Sequence, residues 1–90
     1  MNDRAYSRSP DVLWRNVGTD VILTRPHADT IAELSRSGAD VWRVLEHKRS
    51  AREVAAELAG YSHGAAEIEA GVRVLLDDLV WRGYCIRDDR

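Results

Sequence analysis

The sequence predicts an α+β winged helix-turn-helix, with three N-terminal antiparallel strands followed by three helices. Two observations carry that expectation. The stretch "VLWRNV-GTD-VILT" is rich in β-branched and aromatic residues and is broken by one glycine turn. From Ser35 onward the apolar residues recur instead at helical spacing, in three runs separated by a capping box and glycine stops.

Each element has a local cause. Residues 1–9 are polar and read as a flexible tail that Pro10 closes off. The first strand is expected at about Val12 to Val17 and the second at about Val21 to Thr24, with Gly18 supplying the bend. "RPHAD" is a second turn, because Pro26 cannot donate to a ladder and Asp29 favours bends. "TIAEL" alternates, with Ile31 on one face and Thr30, Ala32 and Leu34 on the other. It fits a third strand or the approach to a helix, and is read here as the strand.

The first helix is expected to start at Ser35 or Ser37, with a stripe of Ala39, Val41, Trp42, Val44 and Leu45. Ser50 and Glu53 form an S-x-x-E capping box, so the second helix begins at Ala51; Gly60 stops it. "YSHGA" reads as a loop, the third helix as about Ala65 to Trp81 ended by Gly83, and "YCI" as a short extended segment. The resulting division is a tail at 1–9, a domain at 10–87 and a C-terminal tail at 88–90.

Ninety residues suffice for one small core. No apolar run approaches the roughly 20 residues that span a bilayer, and "MNDRAYSRSP" lacks the apolar centre of a signal peptide. The single cysteine, Cys85, reads as a small buried hydrophobe and fits a reducing cytoplasm. A formal net charge of −2 weighs against nucleic acid, whose binding draws on a basic excess. A winged-helix regulator of transcription is nevertheless the alternative that this outline raises. Its strongest support is the group Arg43, Lys48 and Arg49 near the joint between the first two helices.

The third helix argues otherwise. A DNA reader pushes a basic face into the major groove, whereas this helix and its end carry Glu67, Glu69, Asp77 and Asp78 against Arg73 and Arg82. At 100° per residue, Ile68, Val72, Leu76 and Leu79 form an inward face. Gly71, Leu75, Asp78 and Arg82 run along an adjoining stripe, with Val74 and Trp81 further round. Such a helix packs against two things. The second is either the β-hairpin or a ligand in a groove beside a sheet edge. A glycine in mid-helix costs about 1 kcal/mol relative to alanine, so Gly71 suggests a close approach by something.

Taken in order, these motifs are similar to a known family. Leu34-Ser35, Trp42 with Leu45, Ser50 to Leu58, and Val72, Leu75, Leu76, Leu79 and Gly83 resemble the PqqD-like domains, also called RiPP recognition elements, over roughly residues 10 to 86. The chain departs from the family pattern at Ser35, at Gly71 and in the turn "LEHKRS". The resemblance implies a module without catalytic activity or cofactor, which holds the leader segment of a ribosomally made precursor peptide. It implies delivery to a modifying enzyme: a leader peptidase with a lasso cyclase, a radical SAM enzyme or a cyclodehydratase. The leader would add as a strand along Thr30, Ile31, Ala32, Glu33 and Leu34, and its side chains would enter a cleft beside Gly71, Val74, Leu75, Asp78 and Arg82. That is β-augmentation, in which main-chain bonds give affinity and pockets give selectivity.

Other motifs point to little. His27, His47 and His63 lack partners at metal-ligand spacing. No phosphate loop, dinucleotide fingerprint or nucleophile elbow occurs. Adjacent residues on a helix diverge, so Asp77 and Asp78 are not a catalytic pair. Asp77 reads as solvated and Asp78 as placed beside the cleft. Trp14 and Trp42 read as core, and Trp81 as core or cleft rim.

Overall fold

The computed structural model describes residues 4–60 and 64–89. The expected loop at 61–63 and the reading of His63 lie outside the described residues. Three strands form the wing: β2 (Leu13–Val17), β3 (Asp20–Thr24) and β4 (Ile31–Leu34), antiparallel in the order β2-β3-β4. Gly18, at φ 62°, makes the turn between the first two. Period-2 alternation is visible in burial: Val21, Leu23, Ala32 and Leu34 face the core, while Ile22, Ile31 and Glu33 face out.

The helices follow as α1 (Ser37–Val44), α2 (Ala51–Ala59) and α3 (Ala65–Trp81). Both bonds of the Ser50–Glu53 capping box form, Glu53 N to Ser50 Oγ at 3.1 Å and Ser50 N to Glu53 Oε1 at 2.8 Å. Gly60 closes α2 at φ 60°. One core unites the layers: Trp42, Leu45, Val54, Leu76 and Leu79 meet Val21 and Leu23 of the sheet.

A second sheet was not expected. Arg4–Arg8 is a strand, β1, not a flexible lead-in; it pairs with β5 (Arg49–Ser50) on one side and β6 (Cys85–Asp89) on the other. Ala5 and Tyr6 are buried, and Asp88 pairs with Ala5, so the described residues of the two expected tails include strand at Arg4–Arg8 and at Asp88 and Asp89. The polar residues are what concealed this, because each finds a partner. Arg8 donates to Trp42 O at 3.1 and 2.8 Å and to Arg43 O at 3.1 Å, a second donor for carbonyls in the last turn of α1 that also accept from Leu45 N and Glu46 N. Its guanidinium also lies 4.6 Å from the ring centre of Trp14 and 5.2 Å from that of Trp42.

Two tryptophan readings divide. Trp42 is buried, but Trp14, on edge strand β2, is 36% exposed and touches Trp42 edge-on at 6.2 Å. Trp81 is 80% exposed and is not core. Cys85 is buried, which pushes its thiol up to about 12 and keeps it protonated.

Candidate functional site

β4 is an edge. Among the described residues its only strand partner is β3, so its other side presents unpaired backbone donors and acceptors. Because Ala32 and Leu34 turn inward and Ile31 and Glu33 outward, what β4 offers beside the helix is backbone.

Two contacts relate the wing to α3. At one end, a Cβ placed on Gly38 of α1 would lie 3.7 Å from both Leu34 Cβ and Leu75 Cδ2, so β4, α1 and α3 converge there. At the other end, Arg25 follows Thr24, which pairs with Ile31, and donates to Arg82 O at 3.4 Å. Gly83 allows this: a Cβ there would lie 2.5 Å from the Arg25 guanidinium.

At the first end lies an apolar groove of about 400 Å³ between the helices. Gly38 and Val41 of α1, Leu58 of α2, and Ile68, Gly71 and Leu75 of α3 line it, and no charged residue does. Of the residues singled out on α3, Gly71 and Leu75 are therefore in the groove wall. Asp78 and Arg82 continue the stripe toward the other end and pair with each other at 3.1 Å. Val74, 71% exposed, stands on the outer shoulder and does not line the groove. Thr30 precedes β4 and is exposed.

Two readings of α3 change. Ile68, assigned to the inward face, is partly exposed and belongs to the groove, because no described residue covers the first turns of α3 on that side. Gly71 is not approached by another described part of the chain: apart from its neighbours and its own helix backbone, no described atom lies within 4 Å of a Cβ built there. Its missing side chain is open space in the groove. Sequence reasoning missed Gly38, Val41 and Leu58 because they reach the groove from other helices. The glycine at the start of α1 is the one local sign of a close approach.

Asp77 is corrected in part. Its side chain is 42% exposed, as expected, but it is also tied: Tyr6 donates to Asp77 Oδ1 at 2.7 Å and Arg87 Nη1 to the same oxygen at 2.8 Å. It joins β1, α3 and β6. Partial burial alone would raise its carboxyl, but the bonds from Tyr6 and Arg87 outweigh this and hold it below the ordinary 3.8. Burial and the bond to Asp77 push the Tyr6 hydroxyl up. A depressed carboxyl contributes stability above its unfolded value, lost as pH falls through the lower folded value. Asp77→Ala, which also strands the Tyr6 hydroxyl, is expected to cost about 1–2 kcal/mol at pH 7. In urea titrations that difference should shrink as the pH falls below about 4.

The basic group near the joint of the first two helices is engaged within the fold. Arg43 donates to Asn16 Oδ1 at 2.9 Å and Thr19 O at 3.2 Å, bracing the β2–β3 turn, and pairs with Asp40. Lys48 pairs with Asp88 at 2.8 Å and Arg49 with Glu57. On α3, Arg73 pairs with Glu69 at 2.7 Å. The group that best supported DNA binding is thus spent on holding the protein together, and α3 presents no basic face. Among the described residues no three His, Cys, Asp or Glu side chains are placed to hold a metal, and no helix is long and apolar enough to cross a membrane.

A winged-helix outline whose third helix borders an open strand edge and an uncharged groove defines a class of binding domain rather than a DNA reader. One comparison shows the family. The model of coenzyme PQQ synthesis protein D (PqqD) matches residues 20–84, and the chain belongs to that family. No curated protein matches it. Among solved structures it is similar to one described as TbiB1 in complex with the TbiA(beta) leader peptide, with a TM-score of 0.75 and 24% identity. The alignment covers 88% of this chain and 93% of that one, a likeness of fold.

Proposed function

We propose that this domain binds the leader segment of a ribosomally synthesised precursor peptide and presents it to the enzyme that modifies it. The observation that carries the reading is the open edge of β4 lying beside an apolar groove that the chain itself leaves unfilled. Membership of the PqqD family and the likeness to a protein solved with a leader peptide support it. In this reading Thr30 to Leu34 bond the peptide backbone. Gly71 and Leu75 take an apolar side chain, and the Asp78–Arg82 pair meets polar groups further along, with Val74 on the rim. The domain is a binding partner, not a catalyst, and needs no cofactor. Its client enzyme is a leader peptidase acting with a lasso cyclase, or a radical SAM enzyme. The buried thiol of Cys85 fits a cytoplasmic setting.

Calorimetric titration tests this with synthetic leader peptides of ribosomally made precursors, alongside duplex DNA. The expected result is saturable leader binding and only weak, salt-sensitive association with DNA. Sequence-selective, sub-micromolar DNA binding at physiological salt, with no leader binding, would overturn it.

A further inference from the structure

Arg25 is a poorly matched charge close to the peptide edge. It follows the parity of Val21 and Leu23, the buried inner row of β3, and its guanidinium reaches the end of α3. There it makes a single hydrogen bond among the described residues, Nη1 to Arg82 O at 3.4 Å. Its acidic neighbour, Asp11, stands 3.9 Å away, and its Nε is buried with no partner among the described residues. A guanidinium carries five donors and grips a carboxylate best through two of them in parallel, so most of this capacity is unspent. The nearby Arg82 differs, because Asp78 already sits 3.1 Å from its Nε.

Register gives this charge a ligand. Thr24 pairs with Ile31, so Arg25 and Thr30 come next on their two strands, at the opposite end of β4 from Leu34. The Leu34 end is apolar: Leu34 Cβ and Leu75 Cδ2 both lie 3.7 Å from where a Cβ on Gly38 would stand, and no charged residue lines the groove there. A peptide strand added to β4 alternates its side chains between the two faces of the sheet. Its inward side chains fall level with Leu34, Ala32 and Thr30 in turn. The first of these meets the apolar groove, and the last, four residues along the peptide, comes beside Arg25. Two strand spacings put the peptide roughly 10 Å from β3, a gap that an arginine and an acidic side chain span together. The added strand also covers this end of the sheet, and a charge-assisted bond is stronger where water is excluded.

We infer that Arg25 selects the peptide by charge: its guanidinium takes a carboxylate side chain of the bound leader, four residues from the apolar side chain seated in the groove. The leaders that this domain holds carry an acid at that spacing, and that acid supersedes the distant Asp11 as the partner of Arg25. An apolar side chain there would leave the guanidinium covered and unmatched, and a basic one would be repelled. This rests on the peptide-binding reading above.

The test is a charge swap between protein and peptide. Alanine replacement along a synthetic leader peptide that the wild-type domain binds locates the apolar anchor. The residues four positions to either side of it are then made Glu or Lys in turn. Each peptide is titrated by fluorescence anisotropy against wild type, Arg25→Glu and Arg82→Glu, with folding checked by circular dichroism. At one of the two positions wild type is expected to favour Glu over Lys by about tenfold or more, and Arg25→Glu to reverse that order. An arginine that only braced the fold would weaken every peptide alike. Arg25→Gln, close in size and neutral, carries the same test should the reversed charge not fold: it is expected to bind the Glu and Lys peptides within about twofold of each other. An order in the folded Arg25 variants unchanged from wild type, or a reversal in Arg82→Glu alone, overturns the assignment while leaving peptide binding in place. Absence of binding by the wild-type chain to a panel of such leaders removes the peptide reading and this inference together.

Discussion

Gly71→Leu is expected to leave the domain more stable and its peptide site closed. Replacing a mid-helix glycine with a good helix former stabilises an exposed helix by roughly 0.5–1 kcal/mol. Nothing stands within 4 Å of the new Cβ to oppose it. The added side chain enters the groove that Gly38, Val41, Leu58 and Leu75 surround, where it occupies the volume assigned to the peptide. Leader affinity should fall at least tenfold while the urea midpoint rises. Most substitutions that harm binding also harm folding, so opposite signs in one variant separate ligand space from structural space. Asp78→Ala, on an exposed ion pair, should weaken binding severalfold with little change in stability. Arg73→Ala, on the far flank of α3, serves as the control. Asp77→Ala cannot, because Asp77 anchors Tyr6 and Arg87.

The second large effect is on folding. Tyr6→Ala removes a buried aromatic ring from the core and the hydrogen bond to Asp77. Large-to-small changes of this kind cost about 3–5 kcal/mol, within reach of the whole stability of a small domain. Tm should fall by at least about 12 °C. Removing residues 1–9 entirely should abolish cooperative unfolding, since Arg8 and its hold on the end of α1 go as well. A truncated chain that melted like the full one would mean that β1 is not part of the folded unit.

The contrast between what was and was not legible in the sequence follows from the range of the forces involved. The capping box at Ser50 and Glu53, the stops at Gly60 and Gly83, and the alternation around Gly18 are local, and they place the β2-β3-β4 hairpin unit and the three helices to within a residue or two. β1 and its pairing with β6, of which only the start at Cys85 and Ile86 was read as extended, were hidden because they pair across nearly the whole chain, Arg4 with Asp89, and their outer residues are Arg, Ser and Asp. No periodicity reports a contact 71 positions away such as Tyr6 to Asp77. The candidate site was half legible. The stripe on α3 suggested a second side to the helix, and the alternation of "TIAEL" suggested the strand, while its use as a peptide edge came from the family resemblance. The opposite wall, from α1 and α2, depends on tertiary packing, and the space at Gly71 is left unfilled by the described chain.

The reading stands most directly on the edge of β4. Hydrogen exchange of the backbone amides from Thr30 to Leu34, followed with and without the cognate leader peptide, reads that edge itself. Peptide addition along β4 predicts slowed exchange there, by about tenfold or more, with smaller changes at Leu75 and Asp78 of α3. Exchange in Thr30 to Leu34 that stays the same while calorimetry reports a bound leader would place the peptide elsewhere and contradict the account.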